Sequence, residues 1–186
     1  VHWVGTSMGG LIGMGLASLP GAPVSKLVLN DVGPAIQFAA LARIGTYLGQ
    51  PAHWKTLDEA ADALWAISQG FGPHTREQWL ELTRPQLVAD GEGFKPHYDP
   101  AIAVPFREGL KVPGDVDLWS TWDAIRAPTL VIRGERSDLL SADTALAMTT
   151  RGPKAELVTL PGVGHAPTLV PDAQIELVRE FLEAGA

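Results

Sequence analysis

A serine lies among glycines near the start of the chain, in the sequence GTSMGG at positions 5–10. This G-x-S-x-G pattern follows residues 1–4, which predict a short buried strand, and precedes a segment whose small residues recur at helical spacing. A sharp turn between a strand and a helix pushes the serine hydroxyl outward and needs neighbours with almost no side chain. The sequence therefore predicts that Ser7 is a nucleophile. The alternative is a glycine-rich turn that only packs a helix on a strand.

A serine hydroxyl is a weak nucleophile, so the chain must also supply a base and an acid that orients the base. Asp138, in GERSDLLS, follows one predicted strand, and His165, in PGVGHAP, follows the next. Because parallel strands end at the same rim of a sheet, Ser7, Asp138 and His165 are expected to converge there. The alternatives are a solvated loop histidine and an aspartate that caps the helix beginning near Ser141.

These side chains need a sheet to position them, and the hydrophobic pattern predicts one. Short apolar runs predict four strands, at residues 1–4, 26–30, 129–133 and 156–160. Segments with helical spacing lie between or after them, including residues 9–19 and 172–184. This alternation predicts an α/β fold, with a mostly parallel sheet flanked by helices.

The pattern changes between the second and third predicted strands. Helical segments at about 36–48, 57–68 and 75–83 follow one another without an intervening strand. We therefore expect a core made of residues 1–33, with the elbow, and 115–186, with the acid and histidine loops, interrupted by a helical cap insertion at 34–114. The Gly- and Pro-rich stretch at 91–106 is expected to be an irregular connection back to the core.

Composition excludes several other functions. The 186 residues suit one core with insertions, and 46% hydrophobic with 19% charged residues is typical of a folded domain. A net charge of -7 argues against nucleic acid as a partner, and the absence of cysteine excludes disulfides and thiolate chemistry. Gly13 and Gly15 lie inside a predicted helix rather than at its start, so a dinucleotide site is not expected. We expect no cofactor, no metal, no membrane span and no signal peptide, and a cytoplasmic location, although a thiol-free chain also suits the periplasm.

Four segments occur in the order and spacing of the α/β-hydrolases: GTSMGG, LVLNDVGP, APTLVIRGERSDLLS and PGVGHAP. The chain resembles the C-terminal two-thirds of a cap-bearing, esterase-like member of that superfamily. The resemblance implies that Ser7 is the nucleophile, that His165 is the general base and then acid, and that Asp138 fixes the imidazole. It also implies that the amide of Met8 donates to the oxyanion. Asp31 is the alternative acid, because some members use that position.

The resemblance implies a serine hydrolase that cleaves an ester or related acyl substrate, a small molecule, through an acyl-enzyme. Carbon–carbon bond hydrolases, cofactor-free haloperoxidases, lyases and catalytically silent binding modules of the same fold remain alternatives. The family places several strands before the elbow, and a loop there supplies a second oxyanion donor. This chain has none of them, so its first strand is expected to present an unpaired edge that an N-terminal part or a partner chain covers.

Overall fold

The computed structural model describes residues 1–185, which form two compact units. The first unit combines Val1–Gln37 and Gly70–Gly72 with the chain from Asp115 onward, and the second comprises Phe38–Gln69 and Pro73–Gly114. The strands are β1 (His2–Thr6), β2 (Lys26–Asn30), β3 (Ala35–Ile36), β4 (Leu87–Asp90), β5 (Gly93–Pro96), β6 (Val116–Asp117), β7 (Thr129–Gly134) and β8 (Glu156–Leu160). The helices are α1 (Met8–Ala17), α2 (Phe38–Gly45), α3 (Leu57–Ile67), α4 (Arg76–Thr83), α5 (Ala103–Gly109), α6 (Trp119–Ala124), α7 (Ala142–Met148) and α8 (Asp172–Glu183).

The main sheet of the first unit is parallel throughout, with the strand order β1-β2-β7-β8. A helix separates each strand from the next along the chain, so that each strand can return in the same direction. The predicted α/β fold with a parallel sheet flanked by helices is confirmed. All four strands run toward the same rim, where the chain turns after Thr6, Asn30, Gly134 and Leu160.

The two central strands are buried along almost their whole length. Every residue of β7 is buried, and so is every residue of β2 after Lys26. Continuous burial is typical of a strand that is covered on both faces, which is why these segments read as apolar runs rather than alternating patterns. Val28, Leu130 and Ile132 pack with Phe181 of α8 in one cluster. The core therefore lies around the two strands that end beside the predicted site.

The strand β1 lies at the edge of the sheet and pairs with β2, as the sequence predicted. Apolar side chains on and after this strand are exposed: Val4 is 43% exposed, Met8 54% and Ile12 50%. Backbone groups along the outer side of an edge strand can pair with another strand. The outer edge of β1 and apolar side chains on β1 and α1 are thus exposed in the first unit.

The second unit contains the helices predicted for the insertion, together with a hairpin that the sequence did not predict. Two of its helices, α3 and α4, begin after the capping residues Thr56 and Thr75. Trp65 of α3 and Trp79 of α4 meet edge to face at 5.0 Å between ring centroids. The strands β4 and β5 pair antiparallel, and the helix α5 follows. The expectation of an irregular connection at 91–106 was wrong, because Gly91, at a φ of 59°, permits a tight turn between two paired strands.

A short antiparallel pair, β3 with β6, joins the two segments of the first unit that flank residues 38–114. In this pair Ala35 lies opposite Asp117 and Ile36 opposite Val116. The sequence predicted that a helix begins at about Ile36, but the helix α2 begins at Phe38 because the two preceding residues form β3. The segments that end at residue 37 and begin at residue 115 are therefore joined within the first unit.

Within residues 1–185, none of the helices combines the length and apolar character that crossing a membrane requires.

Candidate active site

Ser7 lies at the sharp turn between β1 and α1. Its φ of 51° and ψ of -118° are far from the angles that most residues adopt, and such strain persists only where the surroundings enforce it. The amide of Ser7 donates to the carbonyl of Asn30 at 3.1 Å, and its own carbonyl accepts from Gly10 and Leu11. A Cβ atom at Gly5 would overlap the Gly9 carbonyl, so the turn requires glycine at that position. The Ser7 side chain makes no capping hydrogen bond and is thus available to another partner.

That partner is His165, on the loop that follows β8. The Ser7 Oγ and the His165 Nε2 are 3.1 Å apart, and the imidazole side chain is 11% exposed. The preceding residues hold the loop in place: the carbonyl of Val163 accepts from the amide of Arg136 at 2.8 Å, and Gly164 donates to the carbonyl of Gly70 at 2.5 Å. Backbone hydrogen bonds therefore hold the segment directly before His165.

Asp31 completes the arrangement from the end of β2. Its side chain is fully buried, and its φ of 56° lies in the left-handed region, which directs the carboxyl group along the rim. The Oδ2 atom lies 2.8 Å from His165 Nδ1, and the Oδ1 atom accepts from the amide of Gly134 at 2.8 Å. Both oxygens thus have a donor, which satisfies the requirement that a buried carboxylate be hydrogen-bonded.

These contacts fix the direction of the hydrogen bonds through the imidazole. A carboxylate only accepts hydrogen bonds. His165 Nδ1 therefore carries a proton and donates a hydrogen bond to Asp31. In the neutral ring Nε2 is then an acceptor, and the hydroxyl of Ser7 donates to it. This is the arrangement in which a hydroxyl can lose its proton to the imidazole as it attacks an electrophile.

Asp138 does not occupy the position that the sequence assigned to it. It lies in the loop after β7 with its side chain exposed, whereas the atom facing His165 Nδ1 belongs to Asp31, the alternative acid. The loop turns back at once, since Ser137 donates from its amide to the carbonyl of Gly134 at 2.9 Å. The correction has a physical reason: Asp31 directly follows its strand and has a left-handed φ, whereas Asp138 lies four residues beyond the end of β7.

The amide of Met8 is the first of α1 and directly follows Ser7 in the chain. The first amides of a helix have no intrahelical acceptor and lie at the positive end of the helix dipole. The oxyanion role that the sequence assigned to Met8 stays a prediction. Among residues 1–185 no group of three or more His, Asp or Glu side chains is arranged to hold a metal ion.

The sequence interpretation missed the role of Asn30, the last residue of β2. This residue is fully buried, and its side-chain amide donates to Thr6 Oγ1 at 2.9 Å and to the carbonyl of Pro167 at 2.7 Å. A signal was present, because a polar residue directly ends an apolar buried strand and precedes Asp31. Apolar patterning alone does not say which neighbours such a side chain reaches.

Several known proteins are similar to this chain in sequence. The model of the alpha/beta hydrolase family matches residues 1–177. A 3-hydroxybutyrate-oligomer hydrolase from Cupriavidus necator is 50% identical over 188 residues, an alignment that covers 97% of this chain and 64% of that protein. A pimeloyl-[acyl-carrier protein] methyl ester esterase from Xanthomonas campestris is 29% identical, covering 98% of this chain and 70% of the relative.

Solved structures have a similar fold. The crystal structure of an alpha/beta hydrolase from Novosphingobium aromaticivorans superposes with a TM-score of 0.84 at 42% identity, covering 97% of this chain and 64% of that one. The structure of E-2-(acetamidomethylene)succinate hydrolase, at 20% identity and a TM-score of 0.80, shares the fold. The chain thus spans less than two thirds of the length of the 3-hydroxybutyrate-oligomer hydrolase and of the Novosphingobium hydrolase.

Proposed function

Because this chain belongs to the alpha/beta hydrolase family, we propose that it carries the reacting groups of a serine hydrolase that cleaves an ester or related acyl substrate. The observation that carries the proposal is the chain of contacts from Ser7 Oγ to His165 Nε2 and from His165 Nδ1 to Asp31, at 3.1 and 2.8 Å. In this proposal Ser7 is the nucleophile, His165 the base and Asp31 the residue that orients the imidazole. Asp138 then has no part in the proton transfer.

The first half of the reaction forms an acyl-enzyme. The Ser7 Oγ attacks the substrate carbonyl while its proton moves to His165 Nε2, and the carbonyl electrons become an oxyanion. The amide of Met8 donates to that oxyanion, and Asp31 stabilises the imidazolium. When the tetrahedral intermediate collapses, the bond to the leaving oxygen breaks and His165 gives that oxygen its proton.

The second half reverses these steps with water as the nucleophile. His165 Nε2 takes a proton from water as the water oxygen attacks the acyl carbonyl, and the second tetrahedral intermediate expels Ser7 Oγ. The serine recovers its proton from the imidazolium. The products are an acid and an alcohol, and the site returns to its starting state.

The relative with 50% identity suggests the substrate class. We propose an ester of a short hydroxy acid, such as a 3-hydroxybutyrate oligomer, in which the leaving group is the hydroxyl of the next unit. We also propose that the second unit acts as a cap that selects the acyl chain. Its first segment follows β2, Asp31 and β3 along the chain, and the β3–β6 pair joins the segments before residue 38 and after residue 114.

The exposed edge of β1 and the exposed apolar surface near it support one further part of the proposal. Val4, Met8 and Ile12 expose apolar area beside an edge that is available for pairing. We propose that an N-terminal part of the protein or a partner chain covers this surface, and that it adds the second oxyanion donor. With the amide of Met8 as its one oxyanion donor, the site would turn over roughly 10²- to 10³-fold more slowly than a site with two donors.

A substrate panel tests the proposed reaction. The panel contains 3-hydroxybutyrate dimer and trimer, simple methyl esters of increasing acyl length, and a β-diketone as a carbon–carbon bond substrate. We expect release of hydroxybutyrate from the oligomers that is lost in Ser7→Ala. Turnover of the diketone alone would favour carbon–carbon bond cleavage, and binding without turnover of any compound would favour a binding module.

A further inference from the structure

Asn30 connects the two segments that carry the reacting atoms. Its Nδ2 donates one hydrogen bond to Thr6 Oγ1 at 2.9 Å and a second to the carbonyl of Pro167 at 2.7 Å. Thr6 directly precedes Ser7 in the chain, and Pro167 lies two residues after His165. One buried amide therefore spans the nucleophile strand and the histidine loop, and we call these two hydrogen bonds the Asn30 bridge.

The backbone around Asn30 reaches the same groups. Its carbonyl accepts from the amide of Ser7 at 3.1 Å, and the next residue is Asp31, which contacts His165. Asn30 thus contacts Ser7 directly and is bonded to Asp31. It also contacts Pro167, which lies two residues after His165. A shift of this side chain would move the serine and the imidazole relative to each other.

The chemistry of the bridge requires an amide. Both partners offer an oxygen to Nδ2, so the side chain must supply two N–H donors from one nitrogen, which an aspartate at this position could not do. The Oδ1 atom of Asn30 is buried and has no hydrogen-bond partner among the described residues, which destabilises the fold relative to an apolar side chain of the same shape. Leucine has a similar shape and no such oxygen, but it would leave the buried carbonyl of Pro167 without the donor that Asn30 supplies.

We propose that Asn30 is a positioning residue, which sets the distance between Ser7 Oγ and His165 Nε2 through the Asn30 bridge. This proposal rests on the proposed hydrolase function. Asn30 does not touch substrate in this account, and it acts only through Thr6 and the loop at Pro167. Because reacting atoms displaced by about 1 Å can slow a reaction by about 10²-fold, loss of the bridge should reduce turnover rather than substrate binding.

Three variants test the hydrogen bonds of the Asn30 bridge. Asn30→Leu keeps the side-chain shape and removes both hydrogen bonds, whereas Thr6→Val removes one of them, and Thr6→Ser retains it. Thr129→Val is the matched control, since Thr129 is also buried in this sheet and donates to a backbone carbonyl at 2.9 Å, but at the opposite end of its strand. For each variant kcat, KM and the melting temperature are measured with an ester that the wild-type protein hydrolyses.

We expect kcat to fall about 10- to 100-fold in Asn30→Leu and less in Thr6→Val, with KM close to wild type. The melting temperature should fall in Asn30→Leu, because the buried carbonyl of Pro167 loses its donor. Thr6→Ser and Thr129→Val should retain wild-type kcat. A variant Asn30→Leu with unchanged kcat overturns the proposal. So does a loss of kcat that Thr129→Val shows equally, because that would reflect stability rather than positioning.

Crystal structures of wild type and Asn30→Leu keep this proposal separate from the proposed activity. If wild type hydrolyses nothing, the hydrolase function fails while the bridge is still judged by geometry. The proposal predicts that Ser7 Oγ and His165 Nε2 move beyond hydrogen-bonding distance in Asn30→Leu. An unchanged 3.1 Å contact contradicts it.

Discussion

Asp31 Oδ2 and His165 Nδ1 lie 2.8 Å apart, although 134 residues separate them in the chain. The contact joins the ends of two strands that are not neighbours, since β7 lies between β2 and β8. It is possible because Asp31 turns into a left-handed conformation directly after β2, and because the amide of Gly134 at the end of β7 donates to its other oxygen. The central strand therefore holds the acid toward the histidine.

The first prediction separates the two candidate acids. Asp31→Asn should reduce kcat by roughly 10⁴-fold, because an amide favours the wrong imidazole tautomer and does not stabilise the imidazolium. Asp138→Asn should retain kcat within about threefold, since the exposed side chain does not occupy the Nδ1 position. Steady-state ester hydrolysis by the two variants measures both effects. The reverse ranking would restore Asp138 as the acid.

The second prediction concerns the turn at Ser7. Gly5→Ala should abolish Ser7-dependent turnover and lower the melting temperature, because the added Cβ atom would overlap the Gly9 carbonyl. Gly9→Ala is the matched control, as a Cβ atom there meets nothing within 4 Å in the described chain, and its melting temperature should stay near wild type. Thermal unfolding and turnover of the pair test this. Equal stability in both variants would contradict the steric account.

The sequence predicted that Ser7 and His165 come together, but it assigned to Asp138 the position beside His165 Nδ1 that Asp31 occupies. Ser7 and His165 were identifiable because glycines surround each of them and because each follows a predicted strand. Asp31 and Asp138 also both follow strands that end at the same rim, so position along the chain could not distinguish them. The choice depends on a backbone angle at Asp31 and on a hydrogen bond from Gly134, which residue patterns do not encode.

The same contrast applies to the fold. The strands at 26–30 and 156–160 were predicted with the observed bounds, since each is a short, largely apolar run between turn residues. The β4–β5 hairpin was missed because its strands are short and partly exposed, and β5 lies in a Gly- and Pro-rich stretch. Its pairing depends on contacts between strands rather than on a burial pattern within one.

A third prediction addresses the link between β2 and the last helix. Lys26 Nζ donates to the carbonyls of Phe181 and Leu182 at 2.8 Å each and to that of Ala184 at 2.5 Å, where the C-terminus of α8 favours positive charge. Lys26→Met should lower the free energy of unfolding by about 1–2 kcal/mol. Lys111→Met removes only an exposed ion pair with Glu108 and should change it by less than about 0.5 kcal/mol. Denaturant unfolding of the two variants decides, and equal losses would count against the capping role.

A fourth prediction concerns the apolar surface at the edge of β1. The chain of 186 residues studied alone should associate, and Val4→Lys should reduce the association because a charged side chain hinders pairing at an edge strand. Val104→Lys is the control, since Val104 is also exposed but lies on a helix of the second unit. Sedimentation velocity at several concentrations measures the effect. A monomeric wild-type chain would argue that the edge needs no cover.

The reaction of Ser7 with a fluorophosphonate probe tests the central claim most directly. Mass spectrometry of the labelled protein should locate the adduct on Ser7, and labelling should be absent in Ser7→Ala and slowed strongly in Asp31→Asn, while Asp138→Asn should label at the wild-type rate. If the complete protein forms no adduct at Ser7, or if Asp31→Asn labels as fast as wild type, the proposed chain from Ser7 through His165 to Asp31 is contradicted.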